Sequence, residues 1–259
     1  MVRMRSAVRV CLAAPEKSKS QDLLFSYSGT YRGKCGDIME IIARIYNDFD
    51  EKFGVPRQAG LAGETVSTII FEPEYRVPEA LRGLEDFEYI WLLWDFSEAK
   101  REKWSPTVRP PRLGGNTRMG VFATRSPYRP NSIGLSSVKL IGIEKHPEYS
   151  AVLKVQGADL MNGTPIYDIK PYLPYTDSHP GAKAGFTDET PRKKLTVEIP
   201  DNVIKSFPSD KIKALESVLA QDPRPAYIDD ESRVFGIKYA GHNVKFTVSG
   251  DVLSVTEIE

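Results

Sequence analysis

"FATRSPYRPNSIGLSSVKL", residues 122–140, joins a stiffened turn to an amphipathic strand. Polar and apolar residues alternate through 136–140, and a period of two is typical of a strand with one buried face. Upstream, Arg125 and Arg129 lie among prolines, which fix φ and so lower the entropy lost when a binding loop becomes ordered. An arginine guanidinium presents a planar fork that suits carboxylate or phosphate. The stretch therefore predicts an anion-binding turn that leads into a strand.

Short strands separated by turn residues recur through most of the chain after Met39. They are predicted at residues 40–46, 66–72, 89–96, 119–125, 136–143, 151–160 and 165–173. No long helical pattern separates them, which argues against parallel βαβ units. The sequence therefore predicts a mainly β fold, with an antiparallel β-barrel or sandwich as its main domain.

Changes in composition divide the chain into four parts. Residues 1–38 are polar and turn-rich without sustained periodicity, and we expect an N-terminal extension that is disordered or not native. We expect the β domain over 39–175, and a linker or long loop over 176–193 because that stretch is rich in Pro, Gly, Thr and Asp. Residues 194–259 predict a small α+β domain.

Three elements are predicted within that C-terminal domain. Residues 195–199 alternate and indicate a strand. Residues 209–221 place apolar side chains on one helical face, with Ser209 as the N-cap. The pattern of residues 234–258 predicts a hairpin or a three-stranded meander.

Charge is balanced over the whole chain but not within it. The 259 residues carry 35 Lys and Arg against 35 Asp and Glu. Between residues 101 and 130 the only acidic residue is Glu102, and the basic residues are Arg101, Lys103, Arg109, Arg112, Arg118, Arg125 and Arg129. A local basic block in a neutral protein favours a directed anion site over indiscriminate binding of nucleic acid.

Several function classes are excluded. No apolar run approaches the roughly 18 residues that a membrane span needs. Cys11, Cys35 and three scattered histidines suit neither a disulfide scaffold nor a zinc site, so no metal and a reducing cytoplasmic location are expected. The glycines at 113–120 lie between a loop and a strand, which is the wrong context for a dinucleotide-binding motif.

Polar side chains collect at the predicted strand ends and turns. Arg57 follows a proline, and Asp159, Asp168 and Lys170 lie near the ends of later strands. Together with the basic block they would suit a ligand that combines a carboxylate, an amine and a nucleoside. The competing interpretation is structural: Arg57, Asp168 and Lys170 would form a network of ion pairs with one another.

Four segments resemble one family. "VPRQAG" (55–60), "PTVRPPRLGGNTRMGVFATRSPYRPNSIGLSSVKL" (106–140), "NGTPIYDIKPYLPY" (162–175) and "AQDPRPAY" (220–227) are similar to the bacterial tRNA methyltransferase O family, which has a TsaA-like domain. The resemblance runs from about Met39 to the C-terminus. It implies a homodimeric enzyme whose TsaA-like β-barrel binds S-adenosylmethionine and methylates N6 of threonylcarbamoyladenosine beside the tRNA anticodon.

The resemblance also implies a cofactor site. Carried over position by position, its residues are Pro56, Arg57, Gln58, Ser97, Glu98, Arg125, Leu135, Asp159, Leu160, Met161 and Asn162. The chain departs from the family pattern where Asn162 replaces an aspartate and where Ser132 replaces a proline. We expect the first change to remove a charge near the ligand and the second to loosen its turn.

For the substrate, the expected contacts come from the basic block and its surroundings. They are Arg109, Arg112, Arg118, Tyr128, Arg129, Asn131, Lys170 and Tyr172. We expect Arg129 to bind the threonyl carboxylate, the other three arginines to bind phosphates, and the two tyrosines to stack on bases of the anticodon loop. Asp159 or Asp168 is the candidate general base.

Two alternatives to catalysis stay open at this point. In one, the barrel binds RNA or a nucleotide without catalysis, and the arginines serve only as an anion site. In the other, the protein is a structural barrel that docks a partner on its proline-rich surface. Binding of S-adenosylmethionine separates the enzyme from both.

Overall fold

The computed structural model describes residues 39–99, 103–114, 116–190, 194–205, 207–225 and 230–259. The predicted N-terminal extension, Arg101 and the last three residues of the predicted linker lie outside the described residues, as does the end of "DPRPAY".

Six strands form the main sheet. They are β1 (Ala43–Tyr46), β2 (Val66–Phe71), β3 (Tyr89–Asp95), β6 (Ile133–His146), β7 (Ser150–Gln156) and β8 (Pro165–Pro171), and a small ribbon of β4 (Thr107–Val108) and β5 (Met119–Gly120) is inserted between β3 and β6. The order is β1-β2-β7-β6-β3-β8 with antiparallel neighbours, and the sheet closes because β1 pairs with both β2 and β8. The prediction of a mainly β fold is confirmed.

Alternation along the strands explains which face is buried. In β3, Ile90, Leu92 and Trp94 point into the core, and in β6 Val138 and Leu140 do the same. Burial of such side chains stabilises the fold by about 1.5–3 kcal/mol each. In β6 the period-two pattern at residues 136–140 therefore matches the inner face of the sheet, whereas β3 is a continuous apolar run of strand length.

The predicted strand at 119–125 is wrong beyond its second residue. The strand ends at Gly120 and Val121–Ala123 form a 3-10 helix. Val121 is buried, its carbonyl oxygen accepts hydrogen bonds from the Thr124 backbone N–H and hydroxyl, and these bonds curl the chain. Phe122 is left 69% exposed. The strand predicted to reach residue 160 also ends early, because Gly157 takes a φ of +76° and turns the chain.

The C-terminal segment forms a second sheet with its own core. Its strands are β9 (Thr196–Glu198), β10 (Phe235–Tyr239), β11 (His242–Ser249) and β12 (Val252–Ile258), in the order β10-β11-β12-β9 with β9 parallel to β12. The helices are α1 (Pro174–Asp177), which precedes this segment, α2 (Asp201–Ile204) and α3 (Ile212–Leu219). The predicted meander is confirmed by the β10–β11 and β11–β12 pairings.

Ser209 does not cap the helix as predicted. Ser209–Lys211 form a 3-10 turn, and α3 begins after Lys211, where no side chain caps the helix. The helix is held by its apolar face instead, because Leu215, Val218 and Leu219 are buried in the second core.

The two cores are joined by the segment between β1 and β2. Phe49 and Ala62 come from this segment but belong to the C-terminal core. The Phe49 ring lies 5.3 Å from the ring of Tyr239, centroid to centroid. Residues 52–58 of this segment line the candidate site together with Val218 at the end of α3.

Candidate active site

A cavity of about 830 Å³ opens between the end of the barrel and the C-terminal segment. Eight of its lining residues were predicted from the sequence: Pro56, Arg57, Gln58, Arg109, Arg125, Arg129, Leu135 and Asp159. The basic side chains of the lining are Lys52, Arg57, Arg109, Arg125, Arg129 and Arg224, and the acidic ones are Asp159 and Asp222. An excess of cations within a partly apolar cavity suits an anionic ligand that also has an apolar or aromatic part.

Among the described lining residues, the barrel contributes one carboxylate, that of Asp159, and a chain of hydrogen bonds ends there. Trp94 Nε1–H donates to Ser136 Oγ at 3.0 Å, and Ser136 Oγ–H donates to Asp159 Oδ1 at 2.5 Å. Trp94 and Ser136 are buried and Asp159 is half-buried. Burial raises the pKa of Asp159 above its usual value, although the Ser136 hydroxyl and the Arg125 charge act in the opposite direction.

Gly134 makes room for the indole that begins this chain. Trp94 and Gly134 are opposite one another in the β3–β6 pairing. A Cβ on Gly134 would lie 2.1 Å from Trp94 Cε2. Phe96 packs on the same indole with a centroid separation of 4.1 Å. Glycine is therefore required here by the close approach of the Trp94 ring.

The next wall is cationic and comes from the turn after β1 and from the stretch before β6. Arg125 Nη1 donates to Gln58 Oε1 at 2.5 Å, so two predicted cofactor residues contact each other. Leu135 is 52% exposed and supplies apolar surface next to them. The arrangement offers a guanidinium for a carboxylate beside an apolar surface for a ring.

Arg129 combines a structural role with its place in the lining. Its Nη1 donates to the backbone oxygens of Val121 and Thr124, at 3.1 and 2.7 Å. Its guanidinium also lies 5.3 Å from the Phe122 ring centroid. Arg129 therefore braces the 3-10 turn with one nitrogen, and the residue is half-buried in the lining of the cavity.

The last wall comes from the C-terminal segment, which sequence reasoning did not assign to this site. Residues 221–225 line the cavity. Arg57 Nη2 donates to the Arg224 backbone oxygen at 3.3 Å, and Gln221 Nε2 donates to the Leu61 oxygen at 3.2 Å. Arg224 forms two hydrogen bonds with the Asp222 carboxylate, at 2.8 and 2.9 Å. The "DPRPAY" motif could have indicated this wall, since it is part of the family resemblance.

Five predicted cofactor residues lie outside the described lining of the cavity. Ser97 and Glu98 are in a 3-10 helix after β3, where Phe96 lines the cavity instead. Leu160 is fully buried in the barrel core, and the Met161 oxygen accepts from Thr164. Asn162 bridges the Asp50 carboxylate and the Asn47 backbone N–H. Leu160, Met161 and Asn162 therefore stabilise the structure around the site and do not line the cavity.

The departures from the family pattern have local explanations. With Asn162 donating to Asp50 at 2.9 Å, an aspartate at this position would place two carboxylates side by side. Ser132 Oγ–H donates to the Pro127 oxygen at 3.0 Å, and the Phe96 N–H donates to the Ser132 oxygen. These two hydrogen bonds hold in place the turn that we expected Ser132 to loosen.

Six predicted substrate residues also lie outside the described lining. They are Arg112, Arg118, Tyr128, Asn131, Lys170 and Tyr172. Arg118 donates to Thr107 Oγ1 across the β4–β5 ribbon, and Asn131 is exposed. Tyr172 packs on Tyr89 and Trp91, with centroid separations of 6.2 and 5.6 Å.

Asp168, the other candidate base, is also outside the described lining. It forms an ion pair with Lys170 at 2.8 Å. The structural interpretation is therefore right for these two residues. Arg57 does not join them, because it contacts the C-terminal wall. Asp159 is left as the candidate base that faces the cavity.

Within the described residues, no helix has the length and apolarity to cross a membrane, and no group of His, Cys, Asp and Glu is arranged to hold a metal ion.

Comparisons of sequence and of structure with known proteins both identify the same family. The models of the tRNA-methyltransferase O N-terminal domain and of the TrmO C-terminal domain match residues 44–178 and 193–259. The tRNA (adenine(37)-N6)-methyltransferase of Escherichia coli is 40% identical over 228 residues, which is 85% of this chain and 97% of that protein. A Pseudomonas aeruginosa relative, whose name proposes an S-adenosylmethionine-dependent methyltransferase, is 41% identical over 76% of this chain and 86% of its own.

A crystal structure of TrmO superposes with a TM-score of 0.71 at 32% identity, and the match covers 86% of this chain and 99% of that one.

Proposed function

The chain belongs to the tRNA-methyltransferase O family, as its motifs predicted, and we propose that it uses S-adenosylmethionine to methylate N6 of adenosine 37 in tRNA. The substrate base that we propose is threonylcarbamoyladenosine, and the bound RNA segment is the anticodon loop. The TsaA-like barrel would hold the cofactor in the cavity described above. A cytoplasmic homodimer is part of the same proposal.

One observation carries the proposal: the carboxylate of Asp159 faces a cavity whose other lining side chains are mostly cationic or apolar, and the second carboxylate of the lining, Asp222, is paired with Arg224. An aspartate in this position suits the amine or ribose hydroxyls of the cofactor, and Arg125 suits a carboxylate. Phe96 and Leu135 supply surfaces on which an adenine can lie. The residues present therefore fit S-adenosylmethionine.

When bound, S-adenosylmethionine supplies an electrophilic methyl group. What the chain must supply is alignment of the acceptor nitrogen and a destination for its proton. The N6 nitrogen of threonylcarbamoyladenosine is part of a urea, so its lone pair is delocalised and proton removal makes it a better nucleophile. We propose that Asp159 accepts this proton, since a pKa raised by burial brings its basicity closer to what neutral pH requires.

Arg129 is the proposed contact for the threonyl carboxylate. The nitrogen donors that it does not use on Val121 and Thr124 can form a charge-assisted pair with that group. Such a contact would select the modified base, because plain adenosine would leave the guanidinium without its partner.

The enzyme can be separated from a barrel that only binds RNA or a nucleotide. Purified protein should convert threonylcarbamoyladenosine in tRNA to its N6-methyl form, with mass spectrometry of nucleosides as the measurement. Asp159→Asn should keep tRNA binding and lose most turnover. Wild-type protein that binds tRNA, but neither binds the cofactor nor forms the methylated nucleoside, would support the non-catalytic alternative.

Cofactor binding can be tested on its own by calorimetry. Arg125→Ala should weaken binding of S-adenosylmethionine at least tenfold, since a charge-assisted contact is worth about 1.5–3 kcal/mol. Arg82→Ala is the matched control, because Arg82 is exposed in the connection between β2 and β3 and lies outside the cavity lining. If the wild-type protein bound neither S-adenosylmethionine nor tRNA, the result would favour the other alternative, a structural barrel that docks a partner.

A further inference from the structure

Two large aromatic side chains lie exposed and side by side next to the cavity. Trp104 is 48% exposed and Phe122 is 69% exposed. Their rings are stacked, with centroids 6.1 Å apart and planes 25° apart. Neither residue belongs to the cavity lining or to the site predicted from the sequence. We call this pair the aromatic platform.

The backbone holds the aromatic platform rigidly. Phe122 sits on the 3-10 turn whose neighbour Val121 is buried, and the Val121 N–H donates to the Pro106 oxygen. The Ser105 N–H, next to Trp104, donates to the Tyr128 oxygen. Both rings are therefore carried by one ribbon, β4–β5 with its flanking turns. Exposed rings that are already ordered lose little entropy when a partner stacks on them.

Arg129 joins the aromatic platform to the cavity. Its guanidinium is placed over the Phe122 ring at 5.3 Å, and the same residue lines the cavity. A group bound on the platform would therefore be the immediate neighbour of a group bound in the cavity.

The charge around the platform indicates what could cover it. Residues 103–130 contain no Asp or Glu, and their basic residues are Lys103, Arg109, Arg112, Arg118, Arg125 and Arg129. A second copy of the chain in a two-fold interface would place this basic segment against itself, which like charges oppose. Single-stranded nucleic acid has both an aromatic face and a negative backbone, and it is the partner that matches.

We propose that the aromatic platform stacks an unpaired nucleotide of the RNA that flanks the base held in the cavity. The proposal rests on the proposed function, since it deepens the description of how the tRNA is bound. The expected tyrosine contacts, Tyr128 and Tyr172, are replaced in this role by Trp104 and Phe122.

Affinity for RNA is the first measurement. Phe122→Ala and Trp104→Ala should each raise the Kd for a synthetic anticodon stem-loop by about 5-fold or more, since a stacked base is worth about 1–3 kcal/mol. Phe122→Tyr should restore affinity. The matched control is Tyr175→Ala, because Tyr175 is 85% exposed and lies outside residues 103–130. Circular dichroism and unchanged binding of S-adenosylmethionine would show that each variant is folded.

Two further readouts distinguish stacking from charge. The stem-loop should quench the fluorescence of Trp104, and Trp104→Phe should lose that quenching while it keeps RNA affinity. The slope of log Kd against log salt should be unchanged in Phe122→Ala, whereas Arg118→Ala should lower its magnitude by about 1.

The outcomes separate this proposal from the proposed function. Wild-type protein that binds and is quenched by the stem-loop but does not methylate tRNA would overturn the function and keep the platform. Unchanged Kd in Phe122→Ala and Trp104→Ala would overturn the platform, whatever the activity. Dissociation of a dimer in Phe122→Ala with unchanged RNA affinity would show that the platform is a subunit interface, which also overturns the proposal.

Discussion

At the scale of single residues, the cavity depends on one serine that has two partners. Ser136 accepts a hydrogen bond from the Trp94 indole and donates one to Asp159. The hydroxyl is buried, so neither partner has an easy replacement in water. Ser136 thereby acts as a positioning residue: it fixes one rotamer of the Asp159 carboxylate and favours its charged form.

Ser136→Ala should raise the pKa of Asp159 further. The variant removes a hydrogen bond to the ionised carboxylate and leaves the Trp94 N–H without its acceptor, at a cost in stability of about 1–3 kcal/mol. Carbon-13 NMR of the aspartate carboxyls against pH measures the first effect. Ser137→Ala is the matched control, because Ser137 is the next residue on β6 and points to the other face. An unmoved Asp159 titration in Ser136→Ala would show that burial alone sets the pKa.

Asp159 should also appear in the pH dependence of stability. Its folded pKa is raised above the ordinary 3.8, so the folded state holds more protons than the unfolded state between the two values. Its contribution to stability is therefore present below pH 3.8 and is lost as pH rises through the folded pKa. Asp159→Asn should lack this loss. The free energy of unfolding of the variant, measured with denaturant, should therefore increase relative to that of the wild type as pH rises. A difference in the free energy of unfolding between the two proteins that does not change with pH would contradict the raised pKa.

At the scale of elements, the pairing of β3 with β6 builds the floor of the cavity. The register sets Trp94 opposite Gly134, and the missing side chain of that glycine is the space that the indole fills. Alternation along β6 turns Leu135 toward the cavity mouth and Ser136 toward the core. A shift of one residue in this register would exchange these two faces.

Gly134→Ala should therefore damage both stability and cofactor binding. The added Cβ would lie 2.1 Å from the indole, so the Trp94 ring must move, and overpacking of this kind costs about 1–3 kcal/mol. The control is Gly142→Ala on the same strand, where a Cβ would meet no atom within 4 Å. Denaturant unfolding and calorimetry measure the two effects. Equal behaviour of the two alanine variants would contradict the packing inferred around Trp94.

Periodicity predicted the strands of this fold better than it predicted the turns between them. The β6 strand follows the alternation of residues 136–140, and β3 is a continuous apolar run of the length of a strand. The segment 119–125 has the same composition as a strand, but the hydrogen bonds of Thr124 to Val121 curl it, and local side-chain bonds of this type are not visible in an apolar pattern. Arg125 and Asp159, which the motifs named as site residues, both line the cavity. The motifs could not separate Asp159 from its neighbour Leu160, which faces the core.

At the scale of the whole molecule, the cavity is made by two hydrophobic cores and not by the barrel alone. The C-terminal core includes Phe49 and Ala62 from the chain between β1 and β2, and the segment 221–225 closes the cavity beside Arg57. These long-range contacts were absent from the sequence prediction, because they join residues more than 150 positions apart that share no local pattern.

Binding of the cofactor should therefore stabilise the C-terminal sheet as well as the barrel. A ligand that contacts both walls raises the free energy of any opening that separates them, by about 2.7 kcal/mol at a concentration of 100 times its Kd. S-adenosylmethionine should then slow hydrogen exchange of β11 amides by about 100-fold, if those amides exchange through this opening. Arg125→Ala, measured at the same ligand concentration, should show about 10-fold protection or less, because its Kd is at least tenfold higher. Protection confined to β3 and β6 would mean that the barrel binds the cofactor without its C-terminal wall.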